Sequence, residues 1–438
     1  MAVMVERNFK VVMMWRHWFR LARRCTVADH QTCIQMSFLR PISSSSYCLA
    51  RGASRKPFDG GTVTVTEDTY GRESPKELLD NATTYSEQEP QTHEDLWTEG
   101  PYPHKSNFKQ SQAKNSRRPK VDPRETSVLL FPGQGTQYVG MGKELLKYPN
   151  VNEMYEVASQ ILGYDLLEIC LSGPSKQLSK TIYQQPAIVV SSLAAVEKLR
   201  EENPAALESC IGAAGFSVGE ITALTFAGVF SFEDAIRLVK VRAEAMQLAS
   251  EIVPSGMMTV FYGPDSRLGF ACSVAKEFCQ RQGLTEADCR IASYLYPHCK
   301  VVAGNEEALS FIEENKADFR LKRLKRLPVS GAFHTDLMLP AISALKKVLN
   351  TITVENPLIP VHSNIDGKYY KDAEQVKKQL PRQICKPVKW EQTMHILYER
   401  NRGTAFPLTF ECGPGKSLKA ILKMCNAKAF DSCSAIEA

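Results

Sequence analysis

At 438 residues, with 43% hydrophobic and 23% charged side chains, the chain has the composition of a globular protein with room for two or three domains. A net charge of +6, with no basic stretch interleaved with aromatics, does not point to nucleic acid, and no apolar run reaches the ~18 residues of a membrane span. The 13 cysteines form no C-x-x-C pair and no His/Cys cluster at zinc spacing, which argues against a structural metal site and for reduced thiols.

Residues 1–56 carry ten Lys and Arg side chains, Trp15, Trp18 and a serine run from Ser43 to Ser46, against only Glu6 and Asp29. Arg-rich, Ser-rich and acid-poor is the pattern of a mitochondrial transit peptide, and it implies a mitochondrial matrix location. Met36 opens a second stretch of the same kind, so the start codon is ambiguous. Residues 57–124 are polar, poor in aliphatics and punctuated by prolines, and are expected to be a disordered linker.

Beyond it, Thr126–Phe131 reads as a buried strand ended by the glycine loop Pro132-Gly133-Gln134-Gly135, which lacks the G-K-[ST] of a phosphate loop. Helical patterns follow over Gly142–Tyr148, Val151–Leu162 and Asp165–Leu171. A long apolar helix is expected to open at Gln185-Pro186 and run to Leu199. Cys210–Ala214 reads as a strand and Ile221–Ala227 as a helix. Between them stands Gly215-Phe216-Ser217-Val218-Gly219-Glu220, the G-x-S-x-G of a nucleophile elbow. A helix from Ser231 to Ser250 follows, with Ser231 as its N-cap.

The pattern then changes. Strand Met257–Phe261, helix Asp265–Gln282, strands Arg290–Leu295 and Lys300–Ala303, helix Asn305–Glu314 and strand Phe319–Leu327 make the β-α-β-β-α-β order of a ferredoxin-like unit. The larger unit resumes near Pro328. Its expected elements are a helix reaching Leu349, a strand at Ile359–Ser363 and a helix at Glu374–Gln383. A helix near 391–400, a final strand at Leu408–Cys412 and a last helix at Ser417–Met424 complete it. The fold class is α/β: an α/β-hydrolase-like large subdomain (125–255 and 328–438) with a mostly parallel sheet, and an inserted ferredoxin-like small subdomain (256–327).

A serine hydroxyl needs a base, and of the 8 histidines His334, at a loop-to-helix junction, is the best placed. Spacing alone leaves a capping or surface role open to it, and the same holds for Arg242 on its helix.

Five blocks in order resemble the malonyl-CoA:acyl carrier protein transacylases, and in particular the mitochondrial form: 131–135, 215–220, 241–247, 331–334 and 411–416. The resemblance covers about residues 125–430. It implies that Ser217 is the nucleophile, His334 the base and Arg242 the fork for the malonyl carboxylate. The backbone amides of Val218 and Gln134 would form the oxyanion hole, and the backbone carbonyl of Gln383 would orient His334. Met246, one turn after Arg242, would line the acyl pocket, and Phe333, in an Ala-Phe-His block, goes with malonyl over bulkier acyl groups. Phe216 stands where relatives more often have histidine. The implied substrate is malonyl-CoA, and the implied acceptor is the thiol of mitochondrial acyl carrier protein. No metal, cofactor, nucleic acid or membrane enters. Lys322, Arg323, Lys325 and Arg326 form a basic run that faces coenzyme A phosphates, or the acidic carrier protein, or simply water as a solvated strand edge. The competing readings are an α/β-hydrolase esterase, which places its histidine near the C-terminus after an acid, and a non-catalytic subunit that binds carrier protein.

Overall fold

The computed structural model describes residues 122–329, 331–400 and 404–438. The transit-peptide segment 1–56 and the linker up to residue 121 lie outside them. Pro123–Glu125 form a 3-10 turn, capped by the Asp122 carboxylate, that leads into the first strand.

Two sheets organise the chain. The first is parallel throughout, in the order β10-β9-β1-β2-β7, from β1 (Ser127–Phe131), β2 (Cys210–Gly215), β7 (Val361–His362), β9 (Leu408–Gly413) and β10 (Cys433–Glu437). Every residue of β1 and β2 is buried, as expected for central strands covered on both faces. Each large aliphatic or aromatic side chain so removed from water contributes about 1.5–3 kcal/mol.

The second sheet runs β6-β3-β5-β4-β8, from β3 (Ser255–Phe261), β4 (Cys289–Tyr296), β5 (Cys299–Asn305), β6 (Arg323–Arg326) and β8 (Val388–Lys389). Its first four strands are antiparallel in the ferredoxin-like order. β8 pairs parallel with β4 although it lies far along the chain from the insertion.

Besides single turns of helix at Ser175–Leu178 and Pro204–Glu208, the helices in order are α1 (Val151–Leu162), α2 (Leu166–Ser172), α3 (Thr181–Glu202), α4 (Gly219–Phe226), α5 (Phe232–Ile252), α6 (Leu268–Arg281), α7 (Glu306–Glu314), α8 (Ile342–Thr351), α9 (Ala373–Gln383), α10 (Trp390–Tyr398), α11 (Ser417–Cys425) and α12 (Ala427–Asp431). α5 begins as its sequence predicts, with the Ser231 hydroxyl accepting from the Asp234 amide at 3.1 Å. Glu411, from the last sequence block, is buried and accepts the Leu418 and Lys419 amides at the start of α11.

Several boundaries differ from expectation. α3 begins at Thr181, so Pro186 lies inside the helix rather than at its start. An internal proline orphans the carbonyl four residues back, at a penalty of about 3 kcal/mol. That carbonyl belongs to Ile182, and it accepts the Tyr164 hydroxyl at 3.0 Å instead. The expected helix over Gly142–Tyr148 is only a 3-10 turn at Lys143–Leu145, hemmed in by a left-handed Gly142 and by Pro149. The strand expected from Phe319 starts at Arg323, because Arg320 has a positive φ of 52° and turns the chain. α6 likewise starts late, after a Gly263–Ser266 turn. Around Pro360, which has no N–H to give, pairing reduces to the two residues of β7. Leu408–Gly413 is not the final strand: α12 and the edge strand β10 follow it.

Candidate active site

The elbow is built by close approach. Ser217 sits between β2 and α4 with φ of 54°, a left-handed conformation that a side chain rarely adopts and that surrounding bonds must hold. A Cβ on Gly215 would stand 1.8 Å from the Gly219 carbonyl oxygen, so this corner accepts only glycine. The Phe216 amide donates to the Phe131 carbonyl at 2.9 Å, locking the elbow to the end of β1. A Cβ on Gly133 would lie 2.5 Å from the Phe216 carbonyl oxygen, so the first glycine loop is pressed against the elbow as well. The Phe216 ring packs edge-on against Trp390, with centroids 5.4 Å apart.

Asn364, just after β7, straps the turn. Its Oδ1 accepts the Ser217 amide at 2.7 Å and its Nδ2 donates to the Gly215 carbonyl at 2.7 Å.

His334 reaches the serine from the other part of the chain. Its Nε2 lies 2.9 Å from Ser217 Oγ. Its Nδ1 faces two acceptors, the carbonyl oxygens of Gln383 at 2.9 Å and Lys386 at 3.1 Å. Two acceptors on one side require Nδ1 to carry the proton, which leaves Nε2 bare and able to take one from the serine. His334 also has a positive φ, 65°, and its own amide donates to the Ile384 carbonyl at 2.9 Å. Burial, and secondly the Arg242 charge, push its pKa down to about 4, against the two carbonyl bonds that favour the charged form. The imidazole is therefore neutral at physiological pH.

Arg242, on α5, is 1% exposed. It donates from Nη2 to Ser217 Oγ at 3.1 Å and to Gln383 Oε1 at 3.0 Å, and from Nη1 to Gln185 Oε1 at 2.6 Å. All three oxygens are neutral. Burial lowers its pKa to about 10 while the more distant Glu220 charge raises it, so the guanidinium stays charged. A buried cation whose contacts carry no negative charge is a receptor for an anion.

The remaining expected residues gather at this point. Gln185 Nε2 donates to Gln134 Oε1 at 3.0 Å and touches Met246 Sδ at 3.5 Å. Met246 and Phe333 share one buried apolar cluster with Met257 and Ile384. Neither the Gln134 nor the Val218 amide has a hydrogen-bond acceptor among the described residues, and the Val218 amide opens α4. The structure thus brings Ser217, His334, Arg242, Gln134, Val218, Met246, Phe333 and Gln383 into one neighbourhood.

Sequence reasoning missed Gln185, Asn364, Glu220 and Tyr370, and it used only the backbone of Gln383. The Gln383 side chain donates from Nε2 to the Ser217 carbonyl at 2.7 Å and to Glu220 Oε2 at 2.8 Å. Glu220 also accepts the Tyr370 hydroxyl and the Asn364 amide. Burial raises its pKa to about 7 against the opposing Tyr370, Gln383 and Asn364 bonds. The one signal in the sequence was a glutamate inside an otherwise apolar helix start.

The acyl transferase domain family matches residues 128–406. The chain is 55% identical over 315 residues to a probable malonyl-CoA-acyl carrier protein transacylase, mitochondrial, of Drosophila melanogaster, covering 72% of this chain and 83% of that protein. It is 51% identical over 315 residues to the mitochondrial malonyl-CoA-acyl carrier protein transacylase of Homo sapiens, covering 72% and 81%. Among solved structures, a malonyl-transacylase in complex with its type II PKS acyl-carrier protein is similar with a TM-score of 0.61 at 31% identity, covering 71% of this chain and 94% of that one.

Proposed function

The chain belongs to the acyl transferase domain family, among its malonyl-CoA-acyl carrier protein transacylases, and from that premise we infer how its own residues carry malonyl from malonyl-CoA to acyl carrier protein. The observation that carries the reading is the Arg242 guanidinium, buried 3.1 Å from Ser217 Oγ with only neutral oxygens in contact. A malonyl carboxylate supplies the missing charge through a bidentate pair, and acetyl does not.

Ser217 Oγ bonds to the thioester carbonyl carbon as its proton passes to His334 Nε2. The oxyanion is met by the Val218 and Gln134 amides. The carbon–sulfur bond breaks, and the proton on Nε2 goes to the departing coenzyme A sulfur. In the second half the phosphopantetheine thiol of the carrier protein gives its proton to Nε2 and its sulfur attacks the malonyl-serine ester. Ser217 Oγ leaves and is reprotonated from His334. No step in this sequence calls for a metal or a redox cofactor. Phe333 and Met246 close the apolar side of the acyl site, which favours malonyl over branched analogues. An esterase triad would set a carboxylate on His334 Nδ1, whereas here that atom faces two carbonyls.

The experiment is intact mass after mixing with malonyl-CoA or acetyl-CoA. A malonyl adduct on Ser217, absent from Ser217→Ala and far slower to form with acetyl-CoA, is expected. Equal labelling by both donors, or labelling elsewhere, would refute the reading.

Mitochondrial relatives and the transit-like segment 1–56 together support a matrix location and a mitochondrial carrier protein as acceptor. The basic run on edge strand β6 divides in two. Arg326 is engaged by Glu306 at 2.9 Å and Glu313 at 3.0 Å, while Lys322, Arg323 and Lys325 are exposed. The exposed three suit an acidic carrier protein. Replacing Lys322, Arg323 and Lys325 together by alanine should raise the KM for carrier protein severalfold and flatten its salt dependence, leaving malonyl-serine formation alone. A KM that does not move would show β6 to be merely solvated.

A further inference from the structure

The side-chain amide of Gln383 can lie either way round, and only one way satisfies its surroundings. As it stands, Nε2 donates to the Ser217 carbonyl and Glu220 Oε2 while Oε1 accepts from Arg242. Turned over, it would set an N–H₂ against the guanidinium and an oxygen against a carbonyl and a carboxylate, a mismatch at every contact. The Ser217 carbonyl also accepts the Glu220 amide at 3.1 Å and Glu220 Oε2 also accepts the Asn364 amide at 3.2 Å, but of these two acceptors on Nε2 only Glu220 can carry a charge, which makes it the stronger one. Resting on the function proposed above, we propose that Glu220, which lies behind the elbow and reaches no substrate, is the positioning residue that sets the Gln383 amide and through it holds the Arg242 fork in the attitude that selects a carboxylated acyl group.

The groups facing Glu220 make the device robust. Oε2 meets Gln383 and the Asn364 amide, and Oε1 meets the Tyr370 hydroxyl, with Asp366 and Arg242 acting from further off. The Tyr370 hydroxyl donates to Oε1 and can rotate about its C–O bond, so its oxygen can instead accept from position 220. A protonated Glu220, or a glutamine there, therefore keeps its oxygen toward Gln383 and the Asn364 amide and turns its own donor to the Tyr370 oxygen. Without that oxygen the N–H₂ of a glutamine at 220 is buried with no acceptor and only the Asn364 amide, at 3.2 Å, keeps its oxygen toward Gln383, so the hold on the Gln383 amide weakens.

A double-mutant cycle tests this: parent, Glu220→Gln, Tyr370→Phe and the pair. The readout is the ratio of kcat/KM for malonyl-serine over acetyl-serine formation, taken on one preparation so that the folded fraction cancels. Each single change is expected to lower the ratio about threefold, the size of one exchanged hydrogen bond. The pair is expected to lower it on the order of a hundredfold, well beyond the product of the two. Multiplicative effects, or a ratio that stays at the parent value in the pair, would overturn the role of Glu220. A parent that forms no malonyl-serine would instead overturn the function itself, so the two failures are distinct. If the pair does not fold, Glu220→Met serves. It removes the acceptor outright and is expected to lose the ratio by a similar factor, and a parent-like ratio there would equally refute the proposal.

Discussion

Arg242→Ala is expected to cut kcat/KM for malonyl-serine formation by on the order of a hundred- to a thousandfold and to leave acetyl-serine formation within about tenfold. Truncating one partner of a buried charge pair costs about 2–5 kcal/mol, which sets the first figure. The parent's discrimination arises because acetyl leaves a buried guanidinium facing only neutral oxygens, whereas malonyl completes an ion pair. The variant has no cation to satisfy, so the two donors converge. There is a second signature. The Arg242 charge is one of the two influences that depress His334, so its loss should move the acid limb of acylation upward from about 4 toward the ordinary histidine range. Rapid-mixing rates with both donors, read across pH, check both claims. A variant that still prefers malonyl as strongly as the parent would remove this account of selectivity.

His334→Ala should slow malonyl-serine formation by about 10²–10⁴-fold, the usual contribution of a positioned general base. Donor binding should change little, because Arg242 and the elbow remain. In the parent the base is free above its depressed pKa of about 4, so the rate should hold flat from neutral pH down through the range where an ordinary histidine would already be protonated, and fall only near 4. Release of the coenzyme A thiol in a single turnover gives the rate at each pH. A loss below tenfold in the variant, or an acid limb at the ordinary histidine value in the parent, would mean that proton transfer uses another group.

The features that could be read along the chain are those whose chemistry is local. G-x-S-x-G between an apolar run and a helix announces its turn, because only glycine tolerates that packing on either side of Ser217. The β-α-β-β-α-β order of the smaller sheet follows from alternating periodicities, and the structure has that order. What stayed hidden depends on partners distant in sequence. Asn364 reaches across 147 residues to the Ser217 amide, and nothing beside it in the chain hints at that. Gln185 looked like the opening of a helix because Pro186 follows it. The helix instead starts earlier, since the Tyr164 hydroxyl takes over the Ile182 carbonyl that the proline abandons. β10 leaves no mark in the sequence because Cys433–Glu437 is a short edge strand in which only Cys433 is buried, so it shows no apolar alternation. Gln383 was expected to contribute only its carbonyl, because a carbonyl needs no particular side chain. The amide beside it proves to touch the serine, the arginine and Glu220.

The segment that seats the imidazole continues directly into β8, which hydrogen-bonds to β4 of the smaller sheet, and the Lys389 amide donates back to the Asn364 carbonyl at 2.8 Å. Only Pro387 and Val388 stand between Lys386, whose carbonyl touches His334, and Lys389. The two sheets are thus riveted beside both reacting groups, to the imidazole through Lys386 and to the elbow through Asn364, so a rocking of one against the other would shift base and hydroxyl together.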